Sequence, residues 1–502
     1  MVEVQIATPA GLSLKGRLGF LLKDSAIYGG AAAVSKAFAL ITFPLLARHF
    51  SVAEYGVLDY FMVLGSLLGI FFIFGQDSAI ARFFYELEDA VDRRQLISQS
   101  LLFQLAGLVL LLPLLWLSAD WLTTLLIEAP DRVRLFKIVL LQLPFLLLIN
   151  FTQNLLKWTF ARTQFLITSL GFTVVQAALL LITVMFFDAG IQGVLFVSLI
   201  TSVTFGVLGL FFVHQWLTRP KDFRRLREML PFAIPYGVIC VLSALSPTLE
   251  RTLTNDMLGA QDLGLYAAAT KIAMLIGLLV GAFQTAWGPF SLSLYKQSDA
   301  IQTYNWVLKL FVLGMCVSTL VLTLLAQPLV HLLATDRYSG AVVMVFPLAM
   351  GLAIQAISWI TEIGIGISKR SYLNLYSYSV AIASTLVGIW FFAPVFGLLG
   401  VGLGVLLGHI VRALISSWLA QCAYHLPWHY TPVILLISAT LVFGLTATWL
   451  GQQFGTSVGN LALIGSLLAV LLMGWGLLLN QSERLRVSVA LKNHMFSHSN
   501  YL

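Results

Sequence analysis

Residues 191–214 read IQGVLFVSLITSVTFGVLGLFFVH, a run of 24 positions that contains no Asp, Glu, Lys or Arg. About 20 consecutive apolar residues are enough for an α-helix to cross the hydrocarbon core of a bilayer. Only helices and closed barrels satisfy their backbone hydrogen bonds in lipid, and barrel strands alternate polar with apolar residues. This uniform run therefore predicts a transmembrane helix.

Segments of the same kind recur along the whole chain and are separated by short polar stretches. They predict an all-α, polytopic membrane protein with about 14 transmembrane helices. The predicted spans are 26–47, 56–80, 99–118, 133–156, 165–187, 191–214, 231–254, 262–289, 304–326, 341–366, 373–392, 396–420, 430–450 and 459–480.

The composition excludes the main classes of soluble protein. Hydrophobic residues make up 59% of the 502 positions and charged residues only 10%, and the mean hydropathy is +0.91. Soluble globular proteins carry about 25% charged residues. A soluble enzyme and a nucleic-acid-binding protein are therefore both excluded as main hypotheses, although the net charge is +7.

The net positive charge is explained by the orientation of the chain in the membrane, which the distribution of Lys and Arg indicates. With the N-terminus in the cytoplasm, 19 of the 29 basic residues fall in predicted inside segments and five in outside segments. The outside residues are Arg48, Arg132, Arg134, Lys137 and Arg337. Cytoplasmic loops are enriched in Lys and Arg, so both termini are predicted to be cytoplasmic.

Two short stretches 208 residues apart resemble each other and open equivalent spans. FSVAEYGV at 50–57 precedes the second span, LGAQDLGL at 258–265 precedes the eighth, and both contain acidic-x-Gly-apolar. Six spans separate them, so the two halves have the same orientation, as in transporters built from parallel repeats.

The repeat predicts two pseudo-symmetric six-helix lobes, an N-lobe at 25–217 and a C-lobe at 218–425. Two further helices follow at 426–480, and a cytoplasmic tail is predicted at 481–502. Residues 1–24 end in GLSLKGRLGFLLKD and are predicted to form a cytoplasmic amphipathic segment.

Several charged residues lie inside the predicted spans, where each costs about 2.5–3.5 kcal/mol on insertion scales. Lys36 and Lys271 are each predicted near mid-depth, one in each lobe, and Arg412 lies in span 12. Cations in a water-filled cleft suit an anionic group such as pyrophosphate. These three residues are therefore the predicted substrate-binding set, a cationic cleft.

The remaining intramembrane charges are candidates for coupling or gating: Asp77, Arg82, Glu250, Arg251 and Glu362. Structural ion pairing is the alternative for each, with Asp77–Arg82 and Glu362–Arg412 as possible pairs.

Motifs of nucleotide and metal chemistry are missing from the sequence. It contains no GxxxxGK[ST], no HExxH and no paired metal-ligand spacing. No cofactor, no metal and no catalytic residue is expected. Energy for transport would come from an ion gradient, the membrane potential or removal of the product.

Several short motifs resemble those of the bacterial Wzx-type oligosaccharide flippases of the MATE-like exporter superfamily. Each motif alone is weakly specific, but their order and spacing together are more specific. The motifs are ARHF at 47–50, EYG at 54–56, GQDSAIAR at 75–82, LPFAIP at 230–235, ER at 250–251, GLY at 264–266 and AWGPF at 286–290. Many members have Asp-Arg where this chain has Glu250 and Arg251. The arginine-rich first spans of lipid II flippases are absent, which argues against a peptidoglycan substrate.

The resemblance implies transfer of a polyprenyl-pyrophosphate-linked oligosaccharide from the inner to the outer leaflet of the bacterial cytoplasmic membrane, for O-antigen or exopolysaccharide synthesis. A polysaccharide polymerase and other assembly proteins are possible partners. Three alternatives stay open: a drug/cation antiporter, a membrane-embedded glycosyltransferase or ligase, and a non-transporting complex subunit. Basic mid-depth charges disfavour the first, and the lack of large outer loops disfavours the second.

Overall fold

The computed structural model describes residues 30, 31, 34, 35, 38, 42–87, 89–127, 131–187, 189–294, 300–368, 370 and 372–478. Within these residues the regular elements are helices and no strand occurs, so the predicted all-α polytopic fold is confirmed. The predicted amphipathic segment 1–24 and the tail 481–502 lie outside the described residues.

The first helix, α1, is described without gaps over 42–49. The helices that follow are α2 Val52–Ile73, α3 Gln76–Glu86, α4 Ala90–Leu117, α5 Ala119–Leu126, α6 Arg132–Trp158, α7 Arg162–Phe187, α8 Ile191–Val213, α9 Arg224–Leu258, α10 Ala260–Leu294, α11 Ala300–Leu324, α12 Ala326–Leu333, α13 Val342–Thr361, α14 Ile363–Ile367, α15 Leu373–Phe396, α16 Leu398–Ala423, α17 Tyr430–Phe454 and α18 Thr456–Leu478. Short 3₁₀ helices cover His214–Trp216 and Asp336–Ala341.

Thirteen helical segments of the described chain are long and apolar enough to cross a membrane. They match the second to the fourteenth predicted spans, most of them within a few residues at each end. Half of the first predicted span, 26–47, lies outside the described residues. Large apolar side chains such as Leu117 (82% exposed) and Phe186 (77%) lie on the surface, as lipid contact requires.

The second predicted span, 56–80, is not one continuous helix but α2 and α3. Phe74 and Gly75 separate them, with φ of 46° and 70°. Gly75 also lies against α9, where a Cβ would come 2.4 Å from the backbone nitrogen of Gly237. A residue with a side chain would be strained and would clash there, so the break depends on a tertiary contact that hydropathy does not record.

The described chain divides into two compact units. Unit 1 comprises the described residues up to Ala267 together with Leu332–Arg337, and unit 2 comprises Ala268–His331 together with the described residues from Tyr338 onward. Unit 1 thus contains α9 and the start of α10, which the sequence analysis assigns to the C-lobe. The lobes at 25–217 and 218–425 stay a prediction.

The two glycines of the repeated motif meet each other in unit 1. A Cβ built on Gly56 would lie 2.5 Å from the backbone nitrogen of Gly264, and one on Gly264 would lie 1.8 Å from the carbonyl oxygen of Val52. Small residues allow membrane helices to approach this closely. The repeated glycines therefore set the separation of α2 from α10, next to the point where Ser51 and Glu54 form the capping box of α2.

The order of helices supports the internal repeat. The short helices α5 and α12 both have eight residues, and they begin at residues 119 and 326, 207 positions apart. Each directly follows a long helix, α4 or α11. The helices opened by the repeated motif, α2 and α10, begin at residues 52 and 260.

Unit 2 is built around the tight antiparallel pair α15 and α16. Gly400, Gly404 and Gly408 recur at every fourth position and form one face of α16. A Cβ on Gly404 would lie 2.4 Å from the backbone nitrogen of Ile389, and one on Gly408 would overlap Thr385. This glycine face lets α16 contact α15 closely.

Candidate functional site

Arg412 is the best-defined of the three predicted substrate-binding residues. It lies on α16 in unit 2 and is 4% exposed. Its Nη2 lies 3.8 Å from Oε2 of Glu362, which ends α13. The guanidinium carbon lies 4.3 Å from the ring centroid of Tyr378 on α15, a cation–π distance. Three helices therefore surround this cation, and the predicted Glu362–Arg412 pairing is present as a long ion pair.

The Arg412 guanidinium retains most of its hydrogen-bonding capacity. Nε and Nη1 are buried, and neither makes a hydrogen bond within the described part of the chain; the same holds for Oε2 of Glu362. A 3.8 Å separation is also too long for a hydrogen bond. Buried donors of a cation rarely stay without a hydrogen-bond acceptor, so an anion or a water molecule would satisfy Nε and Nη1 of Arg412.

A hydroxyl pair positions Glu362 relative to α16. The hydroxyl groups of Thr361 and Ser417 lie 2.6 Å apart and link the end of α13 to α16. One turn before Arg412, the ring of His409 packs against Gly351, where a Cβ would meet it at 2.6 Å. His409 therefore contributes to the packing between α13 and α16.

The other two predicted substrate-binding residues are less well defined. Lys271 is half-buried on α10 in unit 2 and interacts with another residue of the chain. Lys36 lies outside the described residues. The structure therefore does not bring the three predicted cations together, and their substrate role stays a prediction.

Arg251 forms the most deeply buried ion pair of the described chain, and its partner is Asp59. Nε and Nη2 each lie 2.8 Å from Oδ2 of Asp59, and both side chains are 2% exposed. Nη1 donates to the carbonyl of Pro247 at 3.0 Å, and the Tyr266 ring centroid lies 5.2 Å from the guanidinium carbon. This pair joins α2 to α9 within unit 1.

Glu250, next to Arg251, belongs to a separate set of hydrogen bonds. The Tyr266 hydroxyl donates to Oε2 at 2.6 Å, and the Ser246 hydroxyl donates to Oε1 at 2.8 Å. Glu250 therefore links α9 to α10, whereas Arg251 links α9 to α2. A gating role for either residue stays a prediction, but both occupy helix junctions.

Asp77 lies in the first turn of α3, directly after the break at Phe74 and Gly75. Its Oδ1 accepts a hydrogen bond from the backbone N–H of Ser78 at 2.8 Å. The charge of Lys157 on α6 interacts with it. Arg82 is on the same helix, but its side chain lies outside the described part of the structure, so the predicted Asp77–Arg82 pairing is not tested.

A row of polar residues on α4 holds the connection between α8 and α9. Ser98 accepts from the backbone N–H of Thr218 at 2.8 Å, and Gln95 accepts from that of Lys221 at 3.1 Å. Gln99 accepts from the backbone N–H of Leu226 at 2.9 Å. The segment that joins the predicted lobes is thus fixed to α4 in unit 1.

Two of these features were available in the sequence but were not predicted. Asp59 is a carboxylate within the apolar span 56–80, and intramembrane carboxylates are rarely without function or partner. Gln95, Ser98 and Gln99 share a helix face by their i, i+3, i+4 spacing. Among the described residues no group of three or more His, Cys, Asp or Glu side chains could hold a metal ion.

The membrane-length helices and the buried charges together define a multi-pass membrane protein. Residues 21–295, more than half of the chain, match the family described as polysaccharide biosynthesis protein. The chain belongs to this family, as the resemblance in its sequence predicts.

The relatives in sequence and in structure are consistent with that assignment. An uncharacterized membrane protein of Haemophilus influenzae is 24% identical over 290 residues, 56% of this chain and 67% of the relative. The Lsg locus putative protein 1 of Haemophilus influenzae is 24% identical over 300 residues, 58% of this chain and 72% of the relative.

Two solved structures share the fold. The lipid II flippase MurJ, in an inward closed conformation, has a TM-score of 0.65 at 15% identity and covers 90% of this chain and 98% of its own. An inward-facing multidrug resistance MATE family transporter has a TM-score of 0.59 at 14% identity, with 81% and 96% covered. At these identities the similarity shows the fold alone.

Proposed function

We propose that the chain moves a polyprenyl-pyrophosphate-linked oligosaccharide from the inner to the outer leaflet of the bacterial cytoplasmic membrane, for O-antigen or exopolysaccharide synthesis. The family supports a role in polysaccharide biosynthesis. The observation that carries the substrate class is Arg412, a buried intramembrane cation with two nitrogens that bond to nothing in the described chain. A pyrophosphate offers the oxygen acceptors that such a guanidinium binds best.

In this mechanism Lys36, Lys271 and Arg412 neutralise the head group while the polyprenyl tail stays in lipid. Both termini are cytoplasmic, and access alternates between the two leaflets. Asp77, Arg82, Glu250, Arg251 and Glu362 contribute to gating or coupling. Each negative charge exported from a cell that is negative inside gains about 2.3 kcal/mol per 100 mV, so the membrane potential favours this direction. A polysaccharide polymerase would take the product.

Complementation of a bacterium that lacks its flippase tests the proposal, with inner-leaflet lipid-linked glycan as the readout. Wild type, Lys36→Ala, Lys271→Ala and Arg412→Gln are compared at equal membrane abundance. Arg337→Gln is the control, because it removes an exposed cation. Wild type and the control should clear the glycan, and the three site variants should leave it on the inner leaflet.

A double variant separates substrate contact from structural pairing. Arg412→Gln alone leaves the partly buried Glu362 without its cation, which by itself can destabilise the protein. Arg412→Gln with Glu362→Gln removes both charges. Restored transport in the double variant would reduce Arg412 to a structural partner, whereas stable but inactive protein supports anion binding.

Two outcomes would overturn the function itself. If wild type does not clear the lipid-linked glycan even with its native glycan pathway, the antiporter and the non-transporting subunit become the favoured functions. Resistance to cationic drugs conferred by wild type, without glycan clearance, would favour the drug/cation antiporter.

A further inference from the structure

Unit 1 contains a cavity of about 700 Å³, open to the surface, where α4, α5, α6 and α8 meet. Three basic side chains from the first two turns of α6 line it: Arg132, Arg134 and Lys137. The volume falls within the range of about 300–1,000 Å³ that is usual for ligand pockets. No predicted intramembrane charge belongs to this cavity.

The concentration of positive charge here is unexpected for its side of the membrane. The sequence predicts only five Lys or Arg residues in outside segments, and three of the five line this one cavity. The positive-inside rule disfavours cations on that side, so orientation does not account for the cluster.

Within the residues that the structure describes, none of the three cations forms an ion pair. Asp120 and Asp131 also line the cavity, but in the described part of the chain neither lies within 4.0 Å of one of the three cations. Arg132 donates from Nη2 to the hydroxyl of Thr124 at 3.0 Å. Arg134 is exposed. With three cations and two carboxylates, the described lining residues carry a net charge of +1.

One side of the cavity is aromatic and apolar. The Nζ of Lys137 lies 5.1 Å from the ring centroid of Trp116. Leu141 and Phe196 continue the lining, and they are 44% and 42% exposed. Both belong to helices that are long and apolar enough to cross a membrane. The cavity therefore combines cations at the membrane interface with an apolar wall, which matches an amphiphile that has an anionic head.

We propose that this cavity binds the phosphate head group of an anionic lipid in the outer leaflet. Arg134 and Lys137 hold the phosphate, and the chain of the lipid lies along Leu141 and Phe196. The phosphate can belong to a bulk phospholipid or to a polyprenyl phosphate carrier. This inference does not depend on the proposed function, since binding here requires no translocation.

Lipid titration of the delipidated full-length protein, followed by native mass spectrometry, tests the site. The lipids are phosphatidylglycerol, phosphatidylcholine and polyprenyl phosphate. Wild type is compared with Arg134→Gln/Lys137→Gln and with Arg134→Lys/Lys137→Arg, which keeps both charges. Arg337→Gln is the matched control, because it removes a predicted outside cation that does not line the cavity.

Wild type should bind an anionic lipid in preference to phosphatidylcholine. Affinity should fall roughly fivefold for each cation removed, about 20- to 30-fold in the double Gln variant, because each basic residue near an anionic surface contributes a similar increment. The charge-conserving variant and Arg337→Gln should bind nearly as wild type does.

The lipid that binds more tightly identifies the source. Tighter binding of polyprenyl phosphate assigns the cavity to the carrier lipid, and equal or tighter binding of phosphatidylglycerol assigns it to bulk phospholipid. Equal binding of phosphatidylcholine by wild type would overturn the proposal. An equal loss of affinity for the anionic lipid in Arg337→Gln would also overturn it, because binding would then come from the overall surface charge and not from this cavity.

Discussion

Removing one partner of the Asp59–Arg251 pair should strongly destabilise the protein. Both side chains are 2% exposed, and two guanidinium nitrogens lie 2.8 Å from one carboxylate oxygen. Loss of one partner of a buried pair typically costs about 3–5 kcal/mol, because the other charge stays buried without compensation. For Asp59→Leu we expect the lower end, about 3 kcal/mol, because the Pro247 carbonyl and the Tyr266 ring still contact Arg251.

Replacing both residues should cost less than the two single changes together. Asp59→Leu/Arg251→Met removes both charges and leaves apolar side chains, and such replacements of buried pairs are often neutral. Reversible unfolding of the purified protein in mixed detergent micelles, with helical circular dichroism as the signal, gives the free energies for a double-mutant cycle.

An exposed pair provides the control. Glu228 on α9 pairs with Arg224 at 3.0 Å and with Arg225 at 3.1 Å, but its own side chain is 40% exposed. Glu228→Leu should cost less than about 1 kcal/mol. If the Asp59 and Arg251 changes simply add, or if Asp59→Leu costs no more than Glu228→Leu, the burial and pairing do not determine stability as argued.

Two further changes test the junction between α2, α9 and α10. Gly264→Ala places a Cβ 1.8 Å from the carbonyl oxygen of Val52, so it should lower the free energy of unfolding by about 1–3 kcal/mol or more. Gly277→Ala on the same helix is the control, because its Cβ meets nothing within 4 Å and should not destabilise the protein. Equal effects of the two changes would contradict the close approach. Tyr266→Phe removes the 2.6 Å hydrogen bond to Glu250 and should cost about 1.5–3 kcal/mol in the same assay, and a change below about 0.5 kcal/mol would mean that this bond contributes little.

Local composition predicted the membrane helices well, because the requirement for about 20 apolar residues acts on contiguous sequence. Thirteen predicted spans correspond to helices that the structure describes. The break between α2 and α3 was not predictable in this way. Gly75 accepts φ of 70° and a close approach by Gly237, and that approach comes from a helix more than 150 positions away in the chain.

For the charges inside the membrane, the sequence likewise gives the positions, and the structure gives the partners. The sequence located Glu250, Arg251, Glu362 and Arg412 within spans, because a charge in an apolar run is visible at once. Their partners depend on packing. Arg251 pairs with Asp59 on α2 rather than with its neighbour Glu250, since adjacent residues on a helix point about 100° apart.

The sequence by itself determined that this is a polytopic helical membrane protein, its family, and the repeated motif with Gly56 and Gly264. These properties follow from composition and local pattern. Only the tertiary structure decided that the repeated glycines touch, that Arg412 is buried beside Tyr378, and that Arg132, Arg134 and Lys137 share one cavity with Trp116. Burial and pairing depend on which helices pack together, and no local stretch of sequence contains that information.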